Sequence, residues 1–96
     1  MMSEMLLQLY VVADNVLSKR AIDNIRDICD QSLKGRVRLE IIDVVKEPDR
    51  AEHAKILATP TLIRRLPPPL RRIVGDLSDR GMVEAVLASP ADPLQE

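Results

Sequence analysis

Two runs of strand-forming residues, MLLQLYVVA at 5–13 and VRLEIIDVV at 37–45, stand on either side of a stretch whose apolar residues recur at helical spacing. That arrangement limits the folds open to the chain more than any other feature. The first run is almost continuously apolar, as in a strand buried on both faces. Asp14-Asn15 breaks it, and Asn15 is placed to cap a helix over 16–33. Ala21, Ile22, Ile25, Ile28, Cys29, Ser32 and Leu33 form one stripe of that helix. Lys19, Arg20, Asp23, Arg26, Asp27 and Asp30 fall mainly on the other side, and Gly35 is placed to end it. In the second run Val37, Leu39 and Ile41 point one way. Two strands joined through a helix pair in parallel with a right-handed crossover.

The second half is more broken. KEPD at 46–49 interrupts the chain, and Asp49 can cap a short helix to about Leu57, with Ala51, Ala54 and Leu57 facing inward. Thr59-Pro60 leads into a β-prone run beginning at Thr61, followed by the stiff Pro67-Pro68-Pro69 stretch. Residues 70–74 predict a further strand and Gly75-Asp76 a turn. Ser78 or Asp79 can cap a last helix to about Ser89, with Met82, Val83, Val86 and Leu87 on one face. Residues 90–96 read as a frayed tail, and the whole chain, 1–96, as a single domain.

The resulting order, β-α-β-α-β-β-α, is that of an α/β domain of the thioredoxin-like kind. Pro60 falls after the second helix and just before the third strand, where that fold places a cis-proline. A trans bond in an ordinary turn is the plainer alternative.

The redox chemistry of that fold needs a thiolate at the start of the first helix and a second cysteine two residues on. Here the corresponding turn is Asp14-Asn15-Val16-Leu17-Ser18, and the only cysteine, Cys29, lies turns further along on the apolar stripe. Its expected role is that of a small buried hydrophobe. His53 stands alone among charged neighbours, Asp43, Asp76 and Asp79 are scattered, and no phosphate-binding glycine loop is present. No catalytic residue, metal site or cofactor is therefore expected. A net charge of −1 and a single Tyr, with no Trp or Phe, argue against nucleic acid as a partner. The run at 5–13 is too short to cross a bilayer and lacks a basic leader, so a cytoplasmic location is expected.

Four stretches carry a family resemblance: LYVVA at 9–13, IDVVK at 42–46 with Pro48 behind it, KILATPTL at 55–62 and LPPPLRRIVGDLSDR at 66–80. Together they resemble KaiB, the small cyanobacterial clock protein, in a register running from about residue 6 to 88. The resemblance implies a non-enzymatic regulator that binds a KaiC-like ATPase ring. KaiA and a histidine kinase system are further implied clock partners, and self-association as a dimer or tetramer is implied too. It also implies two available folds: a thioredoxin-like one, and a tetrameric ground state in which the second half, from about residue 51, is arranged differently. Pro60, Pro67, Pro68 and Pro69 are candidate positions for that rearrangement. Arg20, Asp43, Lys46, Lys55, Arg71, Arg72 and Asp76 match the family pattern and become candidate partner-binding residues. A solvated side chain is the bland use of each.

The chain departs from that pattern at three places. Val86 and Ala88 stand where the clock proteins have Gly and Asp, which favours helix there by roughly 1 kcal/mol for the lost glycine. Glu40 stands where they have Lys, a charge reversal at a candidate partner surface that puts KaiA-type binding in doubt. Two other functions remain open at this level: a thiol-dependent enzyme using Cys29, and a structural oligomer outside any clock.

Overall fold

The computed structural model describes residues 4–89. Its elements are β1 (Met5–Val11), α1 (Val16–Ile28), a π-helical turn (Cys29–Leu33), β2 (Val37–Asp43), α2 (Pro48–His53), β3 (Thr61–Leu66), β4 (Arg71–Val74) and α3 (Arg80–Leu87). The sheet order is β2-β1-β3-β4, with β1 parallel to β2 and β3 antiparallel to both β1 and β4. This is the thioredoxin-like arrangement in both halves. The segment 90–96, read as a tail, lies outside the described residues.

Alternation along the strands sorts side chains to two faces. Leu7, Leu9, Val11 and Leu62 pack with Ala21, Ile25 and Ile28 of α1 and with Val83 and Leu87 of α3. Burying each large aliphatic side chain contributes roughly 1.5–3 kcal/mol, so an almost aromatic-free core suffices. On the other face Tyr10, Ile42 and Ile63 pack against Ala54 at the end of α2. Among the described residues α2 covers the half of that face nearest the C-terminal ends of β1 and β2.

Local chemistry sets the element ends. Asn15 accepts the Ser18 N–H through Oδ1 at 3.0 Å, and Asp79 accepts the Met82 N–H at 3.1 Å. α2 starts with Pro48 at a position that needs no N–H, so its cap is Glu47 and not Asp49. It also ends at His53, and Leu57 is 97% exposed instead of facing inward. The reason is the left-handed backbone at Lys55, φ 57°, which turns the chain before another helical turn forms. Met82 is likewise exposed, because the short α3 presents only Val83 and Leu87 fully to the core.

The long first helix widens at its end. Lys34 N–H donates to the Cys29 carbonyl at 3.0 Å, a five-residue step. The wider turn moves Ser32 out to solvent, where its hydroxyl meets the Glu84 carboxylate, and leaves Leu33 packed against the core. Lys34 and Gly35, both at positive φ, then end the segment.

Candidate partner-binding surface

The start of α1 is where this fold would carry thiols. Ser18 is fully buried there, and its Oγ accepts the Val12 N–H at 3.1 Å. It closes the β1–α1 turn and presents no nucleophile. The preceding residues Val16 and Leu17 are exposed apolar side chains. Cys29, 8% exposed, lies in the main core cluster, and burial, with Asp30 adding to it, pushes its thiol up to about 11. The peptide bonds Thr59–Pro60, Leu66–Pro67 and Pro68–Pro69 are cis, the first at the position the fold order indicates.

Five of the charged candidates border α2. Asp43 ends β2, and its Oδ1 accepts the backbone N–H groups of Val45 and Lys46 at 2.8 and 3.3 Å, shaping the turn into α2. Lys46 lies exposed in that turn, and Lys55 is exposed just beyond the helix. Arg72 reaches from β4 to the Ala54 carbonyl at the end of α2. Glu40 sits below α2 on β2, where Arg50 Nη1 and Nη2 donate to its two oxygens at 2.6 and 2.9 Å.

The other three candidates lie elsewhere. Arg20 of α1 faces Asp76, whose carboxyl is held below its ordinary value by its bonds with Ser78 and, to a smaller extent, by Arg20. Asn24 Nδ2 also donates to the Asp76 carbonyl, at 2.8 Å, tying the turn after β4 to α1. Arg71 points to the opposite face of β4 from Arg72 and donates from Nε to Ser89 Oγ at 3.3 Å. Pro67 and Pro69 bound the turn before β4, Val86 is in α3, and Ala88 is its C-cap residue.

Glu40 belongs to a polar chain across the sheet. Arg65 Nε donates to Gln8 Oε1 at 2.6 Å, and Gln8 Nε2 donates to Glu40 Oε1 at 2.9 Å. Arg50, then Gln8, holds the Glu40 carboxyl down at about 2, against an ordinary value of 4.5. The folded state thus binds this proton less well than the unfolded chain. Its contribution to stability is complete above pH 4.5 and is lost as pH falls through about 2. A Glu40→Gln protein is expected to melt below the parent at pH 7, with the gap closing as pH is lowered to 2. Thermal melts at a series of pH values check this; a constant gap contradicts it.

Two arginines outside the candidate set hold α3. Arg80, at its start, donates to Asp27 Oδ2 (2.7 Å), Gln31 Oε1 (3.0 Å) and Glu84 Oε2 (3.0 Å), joining α3 to α1 and the π turn. Arg64, only 1% exposed, donates from Nη1 to the carbonyls of Val86, Leu87 and Ser89 at 3.3, 3.0 and 2.7 Å. Its Nη2 donates to the Pro69 carbonyl at 3.1 Å. A signal for Arg64 exists in the sequence: it lies in phase with Leu62, at a core-facing strand position.

Fold and site together define a thioredoxin-like domain whose first helix carries a buried serine in its first turn and no cysteine pair. The KaiB domain family model matches residues 8–89, and the chain belongs to the KaiB family. It is 50% identical over 91 residues to the circadian clock oscillator protein KaiB of Prochlorococcus marinus, spanning 95% of this chain and 87% of that one. It is also 50% identical over 78 residues to the circadian clock protein KaiB3 of Synechocystis, spanning 81% of this chain and 76% of that one. Among solved structures, the N-terminal domain of SasA from Synechococcus elongatus superposes with a TM-score of 0.74 at 23% identity, covering 96% of this chain and 90% of that one. Mitochondrial thioredoxin 3 of Saccharomyces cerevisiae gives 0.72 at 18% identity, covering 88% and 77%. At those identities the last two are likenesses of fold.

Proposed function

We propose that this protein is a regulatory binding module, with no enzymatic activity of its own, that engages the ATPase ring of a KaiC-like partner. The observation that carries the reading is the gathering of family-pattern residues Asp43, Lys46, Lys55 and Arg72 around one short helix, α2. Asp43 and Arg72 fix the turn and the end of that helix, which leaves Lys46 and Lys55 as the outward charges of the four. Arg20, Asp76 and Arg71 support the same reading less directly, since they brace the turn after β4 and the end of α3. The exposed Val16 and Leu17 at the start of α1 suit a binding end and not a redox centre.

A KaiA-like partner is not part of the proposal, because the Glu40 carboxylate is spent on Arg50 and Gln8. Cytoplasmic action fits the same reading; among the described residues no helix is long and apolar enough to cross a membrane.

The test is capture of the protein by a purified hexameric KaiC homologue, with and without ATP. Binding is expected in at least one nucleotide state, and Lys46→Glu with Lys55→Glu is expected to weaken it roughly tenfold or more through like-charge contact. Absence of binding in both nucleotide states overturns the proposal.

A further inference from the structure

The two faces of the sheet are covered unequally. One carries α1 and α3; among the described residues the other carries only the six-residue α2, over Tyr10, Ile42 and Ile63. The uncovered half is a row across three strands. Arg38 of β2 is the register partner of Leu6, and Leu6 in turn is the register partner of Leu66. A bulge between Leu6 and Leu7 brings Leu66 onto this face beside Arg65, which is in phase with Ile63 and whose Nε reaches Gln8. Leu66 is 48% exposed, and Leu70, next to this edge, is exposed as well.

The charges of this row are unbalanced. Glu40, its nearby carboxylate, is already bonded by Arg50 and Gln8. Among the described residues neither Arg38 nor Arg65 forms an ion pair. Two guanidinium groups thus flank the half-buried Leu6 and the exposed Leu66, on a chain whose net charge is −1. The surface is locally cationic on a globally acidic molecule, and that charge selects an acidic occupant.

We propose that this half-face docks an acidic amphipathic helix of a partner protein, laid beside α2 so that the sheet is covered on both sides. Arg38 and Arg65 lie on strands separated by β1, so their backbones are roughly 10 Å apart at ordinary strand spacing. A helix rises about 10.5 Å over seven residues. Carboxylates at i and i+7 therefore meet the two arginines, and leucines at i+3 and i+4 lie over Leu6 and Leu66. Nucleic acid fits less well, because the sole aromatic, Tyr10, is buried beneath α2 and offers no stacking platform.

The probe is a fluorescein-labelled helical peptide with Glu at i and i+7 and Leu at i+3 and i+4, titrated with the full chain by anisotropy and by amide chemical shifts. Expected are saturable binding and shifts centred on Leu6, Gln8, Arg38, Arg65 and Leu66. Arg38→Glu with Arg65→Glu is expected to weaken binding at least roughly tenfold. Leu66→Ser is expected to weaken it without the change in salt dependence that the arginine variant shows. Because these side chains are exposed or half-exposed, circular dichroism should show both variants folded. No shifts at 1 mM peptide overturn the proposal. So does binding unaffected by the arginine variant, or equal affinity for oligo-dT or for phosphatidylserine vesicles. Ring capture through Lys46 and Lys55 is measured separately, so either proposal can fail alone.

Discussion

An Arg64→Met protein is expected to lose roughly 2–3 kcal/mol of stability, the cost of taking this donor from the buried Leu87 carbonyl and the partly buried carbonyls of Ser89 and Pro69. Arg64 offers one guanidinium to four main-chain acceptors: Val86, Leu87, Ser89 and Pro69. The last carbonyls of a helix have no partner within it, and a cation at that end also suits the helix dipole. Burial, and then Arg71, pulls the Arg64 pKa down from its ordinary value, which is the cost of holding this charge inside. Methionine matches the stem of the side chain but donates nothing. At about 4–8 °C per kcal/mol for a domain of this size, the melting temperature should fall by about 10–20 °C. Hydrogen exchange should show α3 amides losing protection before those of β1 and α1. Arg64→Lys should recover only part of the loss, because one ammonium cannot span both α3 and the proline turn. A melting point within two or three degrees of the parent would refute the clamp.

Native Cys29 is expected to react with iodoacetamide at neutral pH at least roughly a hundredfold more slowly than it does in urea. The thiolate is the nucleophile, and its pKa is raised from 9.0 to about 11, so the thiolate fraction falls by about two powers of ten. Burial against the core adds a steric barrier on top of that. Linkage gives a second reading of the same shift. The neutral thiol stabilises the fold below pH 9.0, and that contribution is lost as pH rises through about 11. Fast alkylation of the folded protein would reopen the thiol-enzyme alternative.

Much of this fold is legible in the residues themselves. The parallel β1–α1–β2 unit follows from two apolar runs and one stripe, because each pattern is local. The caps Asn15 and Asp79 are legible for the same reason: a side chain reaching three residues along its own chain. The inward faces of short elements are not. Leu57 and Met82 have helical phase, but whether a helix extends that far depends on the Lys55 backbone and on how α3 rests on the sheet. Ser32 is misplaced by periodicity because the π turn inserts an extra step.

The candidate surface divides in the same way. The family resemblance points to Lys46, Lys55, Asp43 and Arg72, and the fold brings them round α2. That Glu40 is neutralised by Arg50 depends on a turn returning α2 over β2, ten residues later, which no local pattern encodes. Arg80 is harder still, since its partners Asp27 and Gln31 lie about fifty residues away.

The near-absence of aromatic residues has a spectroscopic consequence. Tyr10 is the chain's one strong ultraviolet chromophore, and it lies beneath α2 with its hydroxyl 3.3 Å from Gln8 Oε1. Tyrosine emission and the near-ultraviolet dichroism of this protein therefore come from a single place. They register an event that lifts α2 or breaks the Arg65–Gln8–Glu40 chain, and are almost silent to the release of α3 on the far side of the sheet. A signal change there on adding a partner locates the contact without any label.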